Sequence, residues 1–388
     1  MKYDFDTLPD RRKSFSLKWN VKENEVPMWV ADMDFAVAPE IAQAIQKRAA
    51  HSIFGYTDIP PEWADSYTHW WKTRHNFFIP QEKLIFCTGV IPALSSAVRK
   101  LTSPAENIVI LTPVYNIFFN SILNNGRNVL QVPLKCNKEN LSYSIDFDSL
   151  EKALSLAQTT MLIFCNPHNP IGKIWSKEEL AAVGELCKKY GVIVFSDEIH
   201  CDLTEPNKDY VPFASASPIC KEVSITAIAP TKTFNLAGIH SAAVFSFNQL
   251  LYNKIWRALN TDEVAEPNAF AMEATIAAFT KGAPYLDELR SYIYQNKCLV
   301  QEFINSNIKN LRLTPSQATY LLWLDCSKFI KEGSDSKELA ASIREKTGLY
   351  LSNGCQFGLG GENFLRMNIA TSKNLVQKAL ELLKNALI

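Results

Sequence analysis

The chain has 388 residues, of which 47% are hydrophobic and 21% are charged. This length and composition indicate a globular protein with a large core, and they favour two domains over one. The 40 basic residues balance the 40 acidic residues. No overall charge therefore favours binding to nucleic acid or to an anionic membrane, and partners must be sought in local sites.

The nine cysteines are scattered along the chain, and none is spaced as CxxC. This pattern predicts neither a disulfide framework nor a thiolate zinc site, and it favours a reducing cytoplasm. The first fifteen residues are charged throughout, unlike a secretory signal, and no apolar run approaches membrane-spanning length. We therefore expect a cytoplasmic protein with no membrane or nucleic-acid partner.

Short apolar runs alternate with helical patterns between about residue 50 and about residue 285. The runs are 84–87, 108–111, 161–165, 192–195 and 224–228, and the helical patterns include 63–75, 93–101, 177–190 and 266–280. Such alternation predicts an α/β domain in which helices cover a mainly parallel sheet.

The remainder of the chain has a different pattern. A long helical stretch at 285–305 precedes apolar runs at 320–325 and 364–369 and helical patterns at 336–346 and 374–387. These elements predict a smaller α+β domain. We assign residues 46–284 to the large domain, and residues 1–45 together with 285–388 to the small one.

Chemically useful residues follow each of the five predicted strands. In open parallel sheets, ligands bind at the carboxyl ends of the strands. The residues at these ends are, in chain order, Gly89 with Val90 and Ile91, Tyr115, Asn169, Asp197 and Lys232.

Four of these features have complementary uses. A glycine at a helix start, as at Gly89, lets backbone N–H groups approach a phosphate, and Tyr115 can stack on a flat ring. Asp197 can hold a protonated ring nitrogen, and the amine of Lys232 can form a Schiff base with an aldehyde. Together they describe a site for pyridoxal 5'-phosphate.

Six stretches carry a resemblance to a known family. They are PMWVADMDF (27–35), FGYT (54–57), NPHNPIG (166–172), SDEIHCDL (196–203), APTKTFNLAG (229–238) and FLRMNIA (364–370). With these stretches the chain resembles fold-type I pyridoxal-phosphate enzymes over its whole length. Within them it is similar to the cystathionine β-lyase group of carbon–sulfur lyases, the MalY/PatB type.

The resemblance implies an aspartate aminotransferase-like fold and a set of cofactor contacts. Asp197 would hold the pyridine nitrogen, Asn169 the 3'-oxygen, and Tyr115 would stack on the ring. Tyr56 would bind the phosphate of the neighbouring subunit, which makes a homodimer the expected assembly. Without the resemblance, Lys232 would be read as a loop residue, and Asp197 would serve equally well as a helix N-cap.

Substrate contacts are also implied. Arg366 lies within an apolar pattern, where it either forms an internal salt bridge or, as the resemblance favours, binds the α-carboxylate of an amino acid. Ala31 and Asp32 belong to a segment that folds over the substrate in similar enzymes, although the acidic residues there could instead cap a helix. His200 is expected to touch the cofactor or support Asp197, and no metal site is predicted.

The chain departs from the family at the phosphate. Many fold-type I enzymes have serine three residues before the lysine and arginine about eight residues after it, where this chain has Ala229 and His240. The phosphate is therefore expected to bind backbone N–H groups and hydroxyls, those of Gly89, Val90, Ile91, Thr231 and Tyr56, with Thr233 as a further candidate.

The expected activity is β-elimination from L-cystathionine, L-cysteine or other S-substituted cysteines, which yields pyruvate, ammonia and a thiol or hydrogen sulfide. Two alternatives stay open. An aminotransferase shares the first proton transfer, and a difference of about 1.4 kcal/mol between barriers would change the ratio of the two reactions tenfold. The third possibility is a non-enzymatic role in binding a regulator.

Overall fold

The structure is a computed structural model, and it describes residues 2–388. It contains thirteen α-helices within this range: α1 (Pro39–Ala50), α2 (Pro61–Arg74), α3 (Val90–Leu101), α4 (Ile117–Leu123), α5 (Phe147–Leu154), α6 (Lys177–Tyr190), α7 (Phe213–Ala216), α8 (Pro218–Val223), α9 (Gln249–Thr261), α10 (Ala271–Lys281), α11 (Ala283–Asn307), α12 (Ser336–Thr347) and α13 (Lys373–Leu387). Short 3₁₀ helices span Gln81–Lys83, Ala237–Ile239 and Gly354–Phe357.

Fifteen strands lie within the same described range: β1 (Val26–Pro27), β2 (Leu84–Cys87), β3 (Asn107–Thr112), β4 (Asn128–Pro133), β5 (Lys135–Cys136), β6 (Tyr143–Ser144), β7 (Thr159–Cys165), β8 (Ile193–Asp197), β9 (Ser224–Ile228), β10 (Ala242–Phe245), β11 (Arg312–Leu313), β12 (Leu321–Asp325), β13 (Leu349–Tyr350), β14 (Ser352–Asn353) and β15 (Phe364–Asn368).

The largest sheet has seven strands in the order β2-β10-β9-β8-β7-β3-β4. Its neighbouring strands pair in parallel except for β10, which is antiparallel to both β2 and β9. The five strands predicted from apolar runs all lie in this sheet, and their carboxyl ends share one edge. The interior strand β7 is buried along almost all its length, as expected for a parallel strand covered on both faces.

The second sheet has four antiparallel strands in the order β11-β12-β15-β14. A short parallel pairing of β1 with β13 links the N-terminal segment to the same part of the chain. The predicted division into a domain of residues 46–284 and one of residues 1–45 with 285–388 remains a prediction.

Local sequence explains where the helices begin and end. Helix α6 matches its predicted range because Ser176 and Glu179 form a capping box at its start and Gly191, with φ of 68°, ends it. Helix α10 begins at Ala271 rather than at the predicted Glu266. Proline at 267 disfavours helical backbone in the residue before it, which delays the start.

Tryptophan side chains form much of the interior. Trp63, Trp70, Trp71, Trp175 and Trp323 are almost completely buried. Within residues 2–388, every helix is too short or too polar to cross a membrane.

Candidate active site

A cavity of about 240 Å³ lies at the carboxyl ends of the parallel strands. It brings together residues that are far apart in the sequence. Ten of the residues singled out in the sequence line it: Ala31, Gly89, Val90, Ile91, Tyr115, Asn169, Asp197, His200, Thr231 and Lys232. Sequence reasoning did not single out Thr88, Pro92, Cys165, Ile199 and Ala237, which also line the cavity, and it noted His240 only as a departure from the family.

Lys232 follows β9 and directs its amine into the cavity. The Nζ atom donates a hydrogen bond to the carbonyl oxygen of Ala31 at 2.5 Å. Burial lowers the pKa of Lys232 to about 8, and the nearby Asp32 carboxylate opposes this shift. A lysine with a lowered pKa is neutral more often at physiological pH, which makes its amine a better nucleophile and base.

Asp197 ends β8 and is almost completely buried. Its Oδ1 accepts a hydrogen bond from the Ile199 N–H at 3.1 Å. Burial raises the pKa of Asp197 to about 6, and the Ile199 N–H and the charge of Lys232 oppose this shift only in part. Among residues 2–388, no cation forms a salt bridge with this carboxylate. A buried, unpaired carboxylate is costly unless a cationic ligand compensates it.

Because Asp197 is buried, we expect the stability of the cofactor-free protein to depend on pH. The Asp197 carboxyl group has a pKa of about 6 in the folded protein and its ordinary pKa of 3.8 in the unfolded chain, so the folded state binds the proton more tightly. The contribution of this group to the free energy of unfolding is therefore fully present below pH 3.8 and is lost as the pH rises through about 6. At about 1.4 kcal/mol for each tenfold change in proton affinity, the loss amounts to about 3 kcal/mol.

Denaturation of wild-type protein and of Asp197→Asn by urea, both without cofactor, measures this cost. We expect the two free energies of unfolding to converge near pH 4 and the variant to exceed wild type by about 3 kcal/mol at pH 7.5. Equal pH dependence in the two proteins would contradict an ionised Asp197.

Arg366 lies on β15 beside the cavity and has no carboxylate partner among residues 2–388. Its Nη1 donates to Oδ1 of Asn169 at 3.1 Å, and its Nη2 donates to the carbonyl oxygen of Trp29 at 3.0 Å. Its Nε is buried with no hydrogen-bond partner, and burial lowers the pKa of Arg366 to about 10. The internal salt bridge that the sequence left open is therefore not formed within the described chain.

The turn that carries Asn169 requires a glycine. Gly172 has φ of +65°, and a Cβ there would lie 2.5 Å from the Cβ of Ser316 and 2.6 Å from the carbonyl oxygen of Ala318. Its N–H donates to the carbonyl oxygen of His168 at 2.7 Å and closes the turn. A side chain at this position would clash with its neighbours, and its backbone would be strained by the positive φ.

The N-terminus of α3 forms another wall. Gly89 is its N-cap, Val90 and Ile91 begin it, and no acidic residue occupies the first turn. Residues 2–388 supply no acceptor for the N–H groups of these three residues. A helix N-terminus with free N–H groups attracts an anion through the helix dipole.

Tyr115 and His200 are uncharged walls of the cavity. Burial raises the pKa of Tyr115 and lowers the pKa of His200 to about 3, so the tyrosine keeps its proton and the imidazole is neutral near pH 7. Nδ1 of His200 is buried without a hydrogen-bond partner. It therefore remains available to a ligand or an ordered water.

Tyr56 lies away from the cavity, in the extended segment 52–60. Its side chain is fully exposed, and Ile53 and Phe54 beside it are also exposed. A single chain thus does not bring Tyr56 to the other predicted site residues.

The segment that contains Ala31 and Asp32 borders the cavity through Ala31. We call residues 29–35 the strap. The carbonyl oxygen of Ala31 accepts hydrogen bonds from Lys232 and from the Tyr320 hydroxyl, the latter at 3.1 Å. The Asp32 carboxylate lies outside the cavity lining and is bound by Arg11, a residue that the sequence did not single out.

Thr233 does not point into the cavity as the sequence suggested. Its hydroxyl donates to Oδ2 of the buried Asp202 at 3.0 Å, and Oδ1 of Asp202 also accepts from Trp70 at 2.9 Å. His75 and Cys201 lie close to the same carboxylate. Since its hydroxyl is used in this network, Thr233 fixes the lysine loop from behind rather than offering a phosphate contact.

A model of the family described as aminotransferase class I and II matches residues 24–383. The chain belongs to this family. It is 38% identical to cystathionine β-lyase PatB of Bacillus subtilis over 391 residues, which covers 99% of this chain and 100% of PatB.

Two solved structures of family relatives are closely similar. Cystalysin from Treponema denticola, which contains a pyridoxal 5'-phosphate cofactor, has a TM-score of 0.94 and 31% identity, with 100% of this chain and 99% of that one covered. The pyridoxal-phosphate-bound C–S lyase from Staphylococcus hominis, complexed with L-cycloserine, has a TM-score of 0.93, 31% identity and the same coverage. The predicted fold-type I fold and the predicted family are confirmed.

Proposed function

We propose that this protein is a pyridoxal-phosphate-dependent carbon–sulfur β-lyase that acts on L-cystathionine and other S-substituted cysteines. The observation that carries the proposal is the single cavity in which a buried amine, an unpaired buried carboxylate and a free helix N-terminus lie together beside an unpaired arginine. The identity of 38% with PatB supports the choice of reaction within the family.

The cavity suits pyridoxal phosphate, because each of its uncompensated groups matches one part of the cofactor. Lys232 would hold the aldehyde carbon, and the Asp197 carboxylate would bind the protonated ring nitrogen. The N-terminus of α3 and the Thr231 hydroxyl would bind the phosphate, and Tyr115 would cover a ring face. Asn169 would bind the 3'-oxygen, with His200 as a further contact.

When bound, the cofactor supplies an acceptor for the negative charge that develops at the substrate Cα. Lys232, freed when the substrate amine takes its place at the aldehyde carbon, would then remove the Cα proton. Burial favours the neutral, basic form of this amine, since it lowers the pKa of Lys232 to about 8. Arg366 binds the substrate α-carboxylate with its unpaired donors, which orients the Cα–H bond towards Lys232.

A leaving group on Cβ of the substrate distinguishes β-elimination from transamination. After proton removal a thiolate leaves Cβ and takes up a proton to become a thiol. The remaining three-carbon enamine then reacts with one water molecule and gives pyruvate and ammonia. With L-cysteine as substrate, the thiol is hydrogen sulfide.

Pyruvate release from L-cystathionine without any 2-oxo acid tests the proposal. We expect the purified protein to take up pyridoxal phosphate, turn yellow and form pyruvate and ammonia in equal amounts. A strict requirement for 2-oxoglutarate would instead identify an aminotransferase. A colourless protein that takes up no cofactor would favour the non-enzymatic alternative.

A homodimer is part of this proposal, with Tyr56 contributing to the phosphate site of the partner subunit. The exposed apolar side chains beside Tyr56 support it, since exposed apolar clusters commonly mark interfaces. The nine cysteines are free thiols, six of them buried, and we propose a reducing cytoplasm as the location.

Mixing two defective chains tests the shared site. Lys232→Ala lacks the amine, and Tyr56→Ala lacks the phosphate contact. If Tyr56 serves the partner, a mixed dimer contains one site with both residues intact, so random mixing restores about a quarter of the wild-type sites. The assay uses a cofactor concentration at which Tyr56→Ala alone stays largely unloaded. Activity of the mixture no greater than the sum of its parts would contradict the shared site.

A further inference from the structure

An ion pair closes the outer end of the strap. Arg11 binds the Asp32 carboxylate through two hydrogen bonds, from Nη1 to Oδ1 at 2.7 Å and from Nη2 to Oδ2 at 2.8 Å. The two side chains remain about one-fifth exposed, at 20% and 22%. The pair is therefore partly desolvated but still open to a ligand.

The strap that carries Asp32 also contacts the arginine that would hold the substrate. The strap follows β15 side by side: the carbonyl oxygen of Trp29 accepts from Arg366 at 3.0 Å, and that of Asp32 accepts from Nδ2 of Asn368 at 2.6 Å. Three residues separate these two contacts, so the backbone positions are at most about 11 Å apart. Lys232 contacts the strap between them, at Ala31.

The strap does not depend on this pair alone. Asp34 is bound by the buried Lys18 at 2.7 Å and by Nε1 of Trp19 at 2.8 Å. The side chain of Asn235 donates to the carbonyl oxygens of Met33 and Phe35, at 3.1 and 2.9 Å. Arg11 also contributes, since its Nη1 donates to the carbonyl oxygen of Met33 and to Oδ1 of Asp34, both at 2.9 Å. The contacts of Lys18, Trp19 and Asn235 hold the strap without the bond between Arg11 and Asp32.

Both partners keep capacity for further hydrogen bonds. Among residues 2–388, the Nη1 atom of Arg11 donates to three acceptors and its Nη2 atom donates to one, the Asp32 carboxylate. One N–H of Nη2 and the N–H of Nε have no acceptor within these residues. The Asp32 oxygens each retain a free acceptor direction. A cation and an anion side by side, each with unused bonding capacity, match a ligand group that carries both charges.

We propose that Arg11 and Asp32 bind the distal amino-acid group of L-cystathionine, so that the site selects S-substituents ending in an ammonium and a carboxylate. Arg11 pairs with the distal carboxylate and Asp32 with the distal ammonium. The reacting half is held by Arg366 and Lys232, and the thioether linker spans the strap between the two pairs of contacts. This inference rests on the proposed lyase activity and names its preferred substrate class.

Substrate selectivity tests the inference in holoenzyme. The value of kcat/KM is measured by pyruvate release for L-cystathionine and for S-methyl-L-cysteine, which lacks the distal charges. In Arg11→Met and Asp32→Asn we expect the ratio of the two values to fall roughly tenfold to a hundredfold, the loss of a charged hydrogen bond. Arg11→Lys, which keeps the charge without the planar fork, should give an intermediate ratio.

Trp19→Phe is the matched control. It removes one anchor of the strap at Asp34 but leaves Arg11 and Asp32 in place. We expect its ratio to equal that of wild type. A fall in the Trp19→Phe ratio equal to that in Arg11→Met would assign the effect to strap position and overturn the proposal.

A second readout needs no turnover. L,L-2,7-diaminosuberate has the distal ammonium and carboxylate of cystathionine but no sulfur leaving group. L-norleucine lacks the distal charged groups as well as the sulfur. Their binding to holoenzyme is followed by the visible absorption of the cofactor. Wild type should bind diaminosuberate more tightly than norleucine, and Arg11→Met and Asp32→Asn should lose that advantage.

Two further results would overturn the inference. One is an equal loss for both substrates in the Arg11 and Asp32 variants, and the other is no preference of wild type for diaminosuberate. Neither result affects the proposed β-elimination, which fails only if wild-type holoenzyme forms no pyruvate from either substrate.

Discussion

Replacing Lys232 by alanine is expected to lower kcat for pyruvate formation by at least about 10⁴-fold, the upper range for loss of a general base. In the proposed reaction, Lys232 provides both the covalent attachment of the cofactor and the amine that takes the Cα proton. Its neighbours in the cavity cannot substitute: His200, with its pKa lowered to about 3 by burial, is a poor base, and Tyr115 retains its proton.

Lys232→Arg is the matched variant, because it keeps a cation that cannot act as a base near neutral pH. It should be as inactive as Lys232→Ala. Borohydride reduction followed by peptide mass measurement should locate a cofactor adduct on Lys232 in wild type and none in either variant. A kcat within tenfold of wild type in Lys232→Ala would refute the assigned role.

Replacing Arg366 by methionine is expected to reduce kcat/KM by roughly a hundredfold to a thousandfold, the effect of removing one partner of a buried charged pair. The substrate α-carboxylate would then be buried without a cation. Arg366→Lys should recover only part of this loss, because a single ammonium cannot reproduce two parallel hydrogen bonds.

Stability separates this role from a structural one. Arg366 is buried without a carboxylate partner among the described residues, and its Nε lacks any partner. Its replacement by methionine should therefore leave the free energy of unfolding of the unliganded protein unchanged or raise it by about 1–4 kcal/mol. Urea denaturation of both proteins measures this. A clear loss of stability together with unchanged substrate KM would show that Arg366 serves the fold.

The sequence predicted most of the large sheet because its strands are short apolar runs separated by helices. Strand β10 was missed for a physical reason. It follows β9 without an intervening α-helix and runs antiparallel, so the alternation that indicates parallel strands does not include it. Strand β4, at the edge of the sheet and only partly buried, has a weaker apolar signal.

The site was predictable to the extent that its residues follow strands. Asp197 and Lys232 each end an apolar run, and the topology brings adjacent strand ends together. Arg11 gave no such signal, because it lies in an irregular segment and meets Asp32 only through tertiary structure. The hydroxyl of Thr233 was assigned to the phosphate because sequence cannot tell which way a loop side chain points.

The antiparallel course of β10 has a further consequence for the loop between β9 and β10. Both ends of that loop enter adjacent strands, where Ala243 pairs with Ile228. A chain tethered at two neighbouring points has few conformations to lose, so the lysine is held in register at little entropic cost. Lengthening or shortening residues 229–241 would displace the amine even with every catalytic side chain unchanged, which makes the length of this connection, as well as its composition, a requirement for activity.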